Sequence, residues 1–276
     1  MSPGTPGAAD MRGRFKEVPG AMPRRGGYGV VRLALDVATG RRAAIKEVPK
    51  SRAGMTTDER VARYHTAVRR EVANLRHVQG SARVSELLDV YEDDDTVYVV
   101  QAWYEPWRPR AVRREARELL EGVAHCHERG VAHCDLKPGN VMASAEGLRL
   151  VDFGGSQRCF GHAYGLTRRA GTPAYIAAEM WHGHSFGLGV DVWAAGVIVF
   201  EALTGRHPFV HVRGMSHQEV AKSVCTTYHV WSDEDLAGVP DDARDLVDLM
   251  LAKDPSDRPT AREALQHPFV RAASDV

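Results

Sequence analysis

Six lysines against thirty arginines, four cysteines and no net charge are the conspicuous shortages of this 276-residue sequence. Cys126, Cys134, Cys159 and Cys225 are too sparse to staple a chain already long enough to bury a core. A disulfide-built secreted scaffold is therefore excluded, and an intracellular, cytoplasmic or nuclear setting is expected. The 36 basic and 36 acidic residues cancel, which argues against a protein devoted to a nucleic-acid backbone or an acidic membrane surface. No stretch approaches the roughly 20 uncharged residues of a membrane helix, and the opening MSPGTPGAAD lacks the apolar run of a signal peptide, so neither insertion nor secretion is expected. Scarcity also gives each lysine weight, because arginine does not replace its compact, mobile charge. Two of the six fall in motifs.

What is present suits a globular protein, with 43% apolar and 26% charged residues. Residues 1–20, rich in Gly, Pro and Ala, read as a flexible lead-in. From 21 to 103 the runs GYGVVRLALDV, RRAAIKEV and DTVYVVQAW are separated by turn residues and predict a small antiparallel sheet. A helix interrupts it from about Thr56 to His77, with Val61, Tyr64, Val68, Val72 and Leu75 at three- and four-residue spacings. From 104 to 272 the character is helical: AVRREARELLEGVAHCHERG, the nearly uncharged GVDVWAAGVIVFEALTG, DDARDLVDLMLAKDP, and TAREALQHPFV with Thr260 and Glu263 in capping-box spacing. Residues 273–276 are a short tail. The fold class expected is α+β, a small sheet lobe with one main helix and a larger helical lobe.

The glycines of RRGGYGVVRLAL, Gly26, Gly27 and Gly29, let backbone amides approach phosphate oxygens, although alone they suit an ordinary hairpin. A dinucleotide fold needs a helix after such a turn, and this chain continues as strands. Lys46 lies in an apolar strand, where Glu71 of the following helix is a partner able to fix its ammonium. Each alone also reads as an ordinary surface residue. HCDLKPGNVM followed by VDFGG is more specific. Asp135 can orient an attacking hydroxyl and accept its proton, Lys137 can neutralise charge on a transferred phosphoryl group, and Asn140 and Asp152 offer the hard oxygen atoms magnesium takes.

These motifs, with GTPAYIAAE, DVWAAG and DPSDRP in order, resemble the eukaryotic protein kinases, and the resemblance runs from about Arg24 to Val270. It implies a bilobal fold, ATP and Mg2+ as cofactors, and direct phosphoryl transfer to a protein or peptide hydroxyl. Lys137 favours the serine/threonine type. By the same resemblance Lys46, paired with Glu71, contacts nucleotide phosphates covered by Gly26, Gly27 and Gly29. Val31 and Ala44 line the nucleotide, Gln101 is the gatekeeper, and Ala102 and Trp103 form the hinge that presents backbone groups to adenine. Asp135 and Lys137 are catalytic, and Asn140 and Asp152 hold the metal. Thr172, Glu179, Asp191 and Arg258 are structural, and Thr167 is a candidate phosphoacceptor. EVANLRHV and DVYEDDD bear a loose likeness to the calcium/calmodulin-dependent group, and the end of the chain soon after HPFV predicts no calmodulin-binding tail.

Several positions depart from the pattern. Arg24 stands at the first glycine position, where it crowds the nucleotide edge or points outward. Cys134 replaces the arginine that a phosphorylated activation segment normally engages, which predicts low dependence on that phosphorylation. Ala178 replaces the proline of the APE-like motif, and Gly139 removes an acidic contact for basic substrates. The stretch between hinge and catalytic loop is about ten residues short on the family pattern. These departures sustain an alternative, a pseudokinase acting as a nucleotide-binding or scaffold module. A zinc site of Cys126, His127, His133 and Cys134 has unsuitable spacing.

Overall fold

Alternation along one strand explains how the first compact unit, Met1–Gln79 with Ser85–Tyr104, forms. In the computed structural model, which describes residues 7–26, 29–50, 58–159, 165–168, 171–183, 185–210, 212 and 214–271, its sheet contains β1 (Phe15–Glu17), β2 (Arg24–Gly26), β3 (Gly29–Asp36), β4 (Arg42–Pro49), β5 (Leu87–Glu92) and β6 (Thr96–Ala102). The antiparallel order is β1-β3-β4-β6-β5, with β2 on β3. On β4, Ala43 and Ile45 join a core of Met11, Phe15, Ala34, Tyr91, Tyr98 and Val100. The opposite parity carries Lys46 and Val48, the latter packed on Val68 of helix α2 (Asp58–His77). Lys46 therefore emerges on the helix-covered face, in register with Val31 and Val99.

The expectation of a flexible lead-in is corrected for residues 8–17. They form α1 (Ala8–Arg14) and β1, and Met11 and Phe15 bury against Tyr91 and Ile45. Arg14 secures the segment by bonding Asp36 at 3.0 Å and Asp89 at 3.2 Å.

The second unit, Gly80–Val84 with Glu105–Val276, takes residues 80–84 from inside the stretch assigned to the sheet lobe. A bridge from Val84 to Leu150, and the Leu150 amide donating to the Arg83 carbonyl, account for that exchange. Short strands β7 (Glu105–Pro106), β9 (Val141–Ser144) and β10 (Gly147–Leu150) form one sheet, and β8 (Val131–Ala132) pairs with β11 (Gln157–Arg158). The helices are α3 (Val112–Glu128), α4 (Ala178–Trp181), α5 (Gly189–Thr204), α6 (His217–Thr226), α7 (Asp233–Gly238), α8 (Asp241–Met250), α9 (Ala261–Ala264) and α10 (Pro268–Arg271). The run in α5, with Asp191 its one charged residue, is buried without a break from Val190 to Phe200, as expected of a helix with no polar face. TAREALQHPFV makes two helices rather than one. The Thr260–Glu263 capping box opens α9, and Pro268, which cannot donate inside a helix, begins α10. Among the described residues no helix is long and apolar enough to cross a membrane. All four cysteines are free thiols.

Candidate active site

In the second unit, the loop between β8 and β9 is shaped from beneath by Asp191, in the first turn of α5 and 1% exposed. Its Oδ2 accepts the His133 amide at 2.7 Å and faces His127 Nε2 at 3.0 Å, while Oδ1 accepts the Cys134 amide at 2.8 Å. Burial opposes ionisation of Asp191, but the His127 hydrogen bond and charge and the His133 amide outweigh it and hold the carboxyl below its ordinary range. The loop needs this brace because Cys134 adopts φ 60°, a left-handed conformation costly for a side chain. Burial first, then the Asp191 charge, pushes the Cys134 thiol well above its ordinary value, so it packs rather than reacts.

The braced loop carries a closed charge cluster. Lys137 Nζ donates to Asp135 Oδ2 at 2.9 Å and to Thr172 Oγ1 at 2.7 Å, and Thr172 Oγ1 donates to Asp135 Oδ1 at 2.8 Å. Asn140, 5% exposed, spends its Nδ2 hydrogens on the Asp135 carbonyl at 2.8 Å and carboxylate at 3.2 Å. That leaves Oδ1 as the acceptor atom of the amide. Its main chain is tied to the next element by the Val151 amide, which donates to the Asn140 carbonyl at 3.0 Å. Asp152 follows with φ 62°, and its Oδ1 accepts the Gly154 amide at 3.4 Å. An amide oxygen and a half-buried carboxylate, on segments joined by that hydrogen bond, are hard donors that fit magnesium completed by phosphate and water. His133 links the same pieces, bonding the Val151 carbonyl at 3.0 Å and packing its ring, tilted, with centroids 4.8 Å apart, on the buried Phe153.

Glu179 and Arg258, 79 residues apart, form a two-bond pair at 2.8 and 3.2 Å. Arg258 also donates to the Gly189 and Ala252 carbonyls, which ties α4 to the start of α5. Thr167 is exposed beside the buried Leu166.

In the first unit Lys46 Nζ donates to Glu71 Oε1 at 2.6 Å, with side chains 10% and 3% exposed. Gln101 is buried, and its Oε1 accepts from the fully buried Ser85 hydroxyl at 2.7 Å, so its carbonyl is turned into the protein. The Ala102 amide donates to the Glu86 carbonyl and the Trp103 amide to the Arg42 carbonyl, so these two amides are engaged within the unit. Val31 and Ala44 lie on the paired strands β3 and β4. Gly29 is required by packing, since a Cβ there would lie 2.0 Å from the Glu47 carbonyl oxygen. Gly26 ends β2 opposite it, and Gly27 lies outside the described residues. Arg24 places its guanidinium 5.3 Å from the centre of the Trp103 ring, a cation–π contact.

Sequence reasoning missed the direct bonds of Thr172 to Asp135 and Lys137, and missed Ser85, Gln157 and Arg168 altogether. Only the position of Thr172 in GTPAY signalled the first.

Residues 25–270 match the family model described as protein kinase domain. Among curated proteins, the chain is 31% identical over 265 residues to calcium-dependent protein kinase 8 of Arabidopsis thaliana, covering 90% of this chain and 48% of that one. It is 31% identical to serine/threonine-protein kinase 17A of Oryctolagus cuniculus, covering 93% and 66%, and 33% identical to calcium-dependent protein kinase 11 of Oryza sativa subsp. japonica, covering 89% and 44%. The chain thus spans from under half to about two thirds of the length of these curated relatives.

Proposed function

Since the chain belongs to the protein kinase family, we propose that it transfers the γ-phosphoryl group of ATP directly to a Ser or Thr hydroxyl of a protein or peptide. The observation that carries this reading is the Asp135 carboxylate held on both oxygens, by Thr172 on one and by Lys137 and Asn140 on the other. Such a group is pre-oriented to receive the acceptor hydroxyl and take its proton as phosphoryl transfer proceeds. The Lys137 ammonium, already beside that carboxylate, neutralises charge on the transferred group. Asn140 Oδ1 and Asp152 hold magnesium, which when bound offsets the phosphate charge. Lys46, fixed by Glu71, pairs with the nucleotide phosphates, and Gly26 and Gly29 admit them close to the backbone. Val31 and Ala44 flank the base and Gln101 narrows the pocket behind it. The engaged amides at 102 and 103 leave contacts to the base at this edge to other backbone groups.

Low dependence on activation-segment phosphorylation belongs to the same reading. Cys134 offers no charge to a phosphate, and its main chain is held by Asp191 instead. Thr167, exposed, remains the candidate acceptor on that segment, and Glu179, Arg258 and Asp191 serve the scaffold.

The test is transfer from labelled ATP with magnesium to a degenerate Ser/Thr peptide set, using phosphatase-treated protein alongside Asp135→Ala and Asp152→Ala. Transfer by the wild type alone supports the reading. A folded wild type that binds ATP and transfers nothing would make the chain a nucleotide-binding module.

A further inference from the structure

Cys134 stands where the family resemblance places an arginine, and its thiol is met by a neutral amide. Gln157, at the start of β11 and 9% exposed, donates its Nε2 hydrogens to Cys134 Sγ at 3.5 Å and to the Arg168 carbonyl at 2.8 Å. Arg168 then reaches back, its Nη2 donating to the Gly155 carbonyl at 2.8 Å. Gly155 itself lies against the catalytic loop, since a Cβ there would sit 3.2 Å from Asp135 Cβ and 3.3 Å from the His133 oxygen. Gly171, at φ +108°, closes on the same loop from the far end, where a Cβ would lie 2.5 Å from the Cys134 carbonyl oxygen.

Between them, residues 165–168 are held by the bridge between Leu166 and Phe186, with bonds of 3.1 and 2.9 Å. Side chains alternate in extended chain. Leu166 and Arg168 turn inward while Thr167 between them is exposed. The inward side chain of residues 165–168 that makes a polar contact is thus a permanent cation answered by the Gly155 carbonyl beside the catalytic loop, and the hydroxyl able to carry a phosphate faces away. The Arg168 Nε is buried with no partner among the described residues, a desolvation that the Gly155 contact and the Gln157 bond to its carbonyl must offset.

We propose that Arg168 and Gln157 are positioning residues that clamp the unmodified activation segment onto the catalytic loop, taking the place of a phosphate–arginine pair. The proposal rests on the phosphorylation-independent kinase reading above and names the groups that confer it. It involves no covalent step: the clamp is present as the chain folds.

The experiment uses the full chain, phosphatase-treated and shown by mass spectrometry to carry no phosphate. Peptide and ATP kinetics are measured together with hydrogen exchange over residues 155–172. Arg168→Ala is expected to lower kcat/KM for peptide by about 10- to 100-fold, the range of one charged hydrogen bond, with the KM for ATP unchanged. Exchange over 155–172 should accelerate by about tenfold or more while α5 and α8 stay protected. Arg168→Lys, which keeps a charged donor for the Gly155 carbonyl, should recover most of both losses. Gln157→Ala should act in the same direction, and it carries the test if Arg168→Ala does not fold. Thr167→Ala should change neither readout.

Wild-type kinetics and wild-type exchange in both Arg168→Ala and Gln157→Ala would overturn the clamp, and so would a loss confined to Thr167→Ala. The two readings fail differently. Inactive phosphate-free wild type, with exchange still released by Arg168→Ala, would sink the phosphorylation-independent reading and leave the clamp standing. Active wild type indifferent to both clamp variants would do the reverse.

Discussion

Replacing Thr172 by valine tests whether this residue belongs to the chemistry or only to the scaffold. The substitution keeps the shape and removes one hydroxyl, which donates to Asp135 Oδ1 at 2.8 Å and accepts from Lys137 Nζ at 2.7 Å. Both charged groups then lose a partner. A hydrogen bond to a charged group contributes about 1.5–3 kcal/mol. The Lys137 side chain is 29% exposed, so water recovers part of its share, and about 2–3 kcal/mol in all is a reasonable loss. If that loss falls on the transition state, kcat drops by roughly 30- to 150-fold at 1.36 kcal/mol per decade. Stability should change much less, because Asp135 and Lys137 still bond each other at 2.9 Å. A fall of about 1 kcal/mol would move Tm by only about 2–4 °C. The assay is steady-state peptide phosphorylation, with thermal unfolding on the same samples and Thr172→Ser as the rescue. A valine variant with wild-type kcat, or a serine variant as impaired as valine, would refute the reasoning.

Three further outcomes are expected. Arg258→Ala strands the Glu179 carboxylate and should cost about 3–5 kcal/mol of stability, read as a lower urea midpoint at unchanged slope. Gly171→Ala places a Cβ against the Cys134 carbonyl at a φ that side chains avoid, and should lower stability by about 1–3 kcal/mol and kcat with it. Lys253 sits with its ammonium 4.2 Å from the Phe209 ring and 4.8 Å from Trp193. Burial, the leading cause, pushes it down to about 8 from the ordinary 10.5. Between those values the unfolded chain holds the proton and the folded chain does not, so this residue makes stability rise with pH across that window. The difference in Tm between wild type and Lys253→Met, scanned from pH 7 to 11, should shift in favour of the wild type as pH rises, and a flat difference would count against it.

The legible parts of the sequence are those whose signal is local. β3, β4 and β6 announce themselves because alternation and turn residues recur within ten positions, and α5 because its apolar run has no polar face. Asp135, Lys137 and Asn140 fall within six residues, so one loop carries all three and the resemblance needs no distant window to find them. α1 and β1 were hidden because Met11 and Phe15 are isolated apolar residues in a Gly- and Pro-rich stretch, and only Tyr91 and Ile45 supply their partners. The contact of Thr172 with Asp135 spans 37 residues, that of Gln101 with Ser85 spans 16, and Arg24 meets Trp103 only when the sheet forms. No window on the sequence joins such pairs. Arg168 is the extreme case: in YGLTRRAGT it looks like a surface arginine, and its role appears only with the Gly155 carbonyl against it.

Among the described residues two non-glycines, Cys134 and Asp152, have positive φ, and both adjoin the charge cluster. A side chain in that region costs about 1–2 kcal/mol, so neither turn would persist without support from elsewhere. For Cys134 the support is Asp191, which collects the amides of residues 133 and 134 from the first turn of a helix buried along its whole core face. For Asp152 it is the pair of bonds across Val151, its amide to Asn140 and its carbonyl to His133, together with burial of Phe153 on the His133 ring. His133 is common to both. Reversal at Asp152 lets Phe153 turn inward while the carboxylate before it stays half-buried, and reversal at Cys134 ends the Asp191 contacts just before Asp135 begins its own. The strain is thus carried by residues anchored in the core. Asp135, Lys137 and Asn140 can then be held by bonds among themselves, in the arrangement that phosphoryl transfer would use, without relying on a ligand to assemble them.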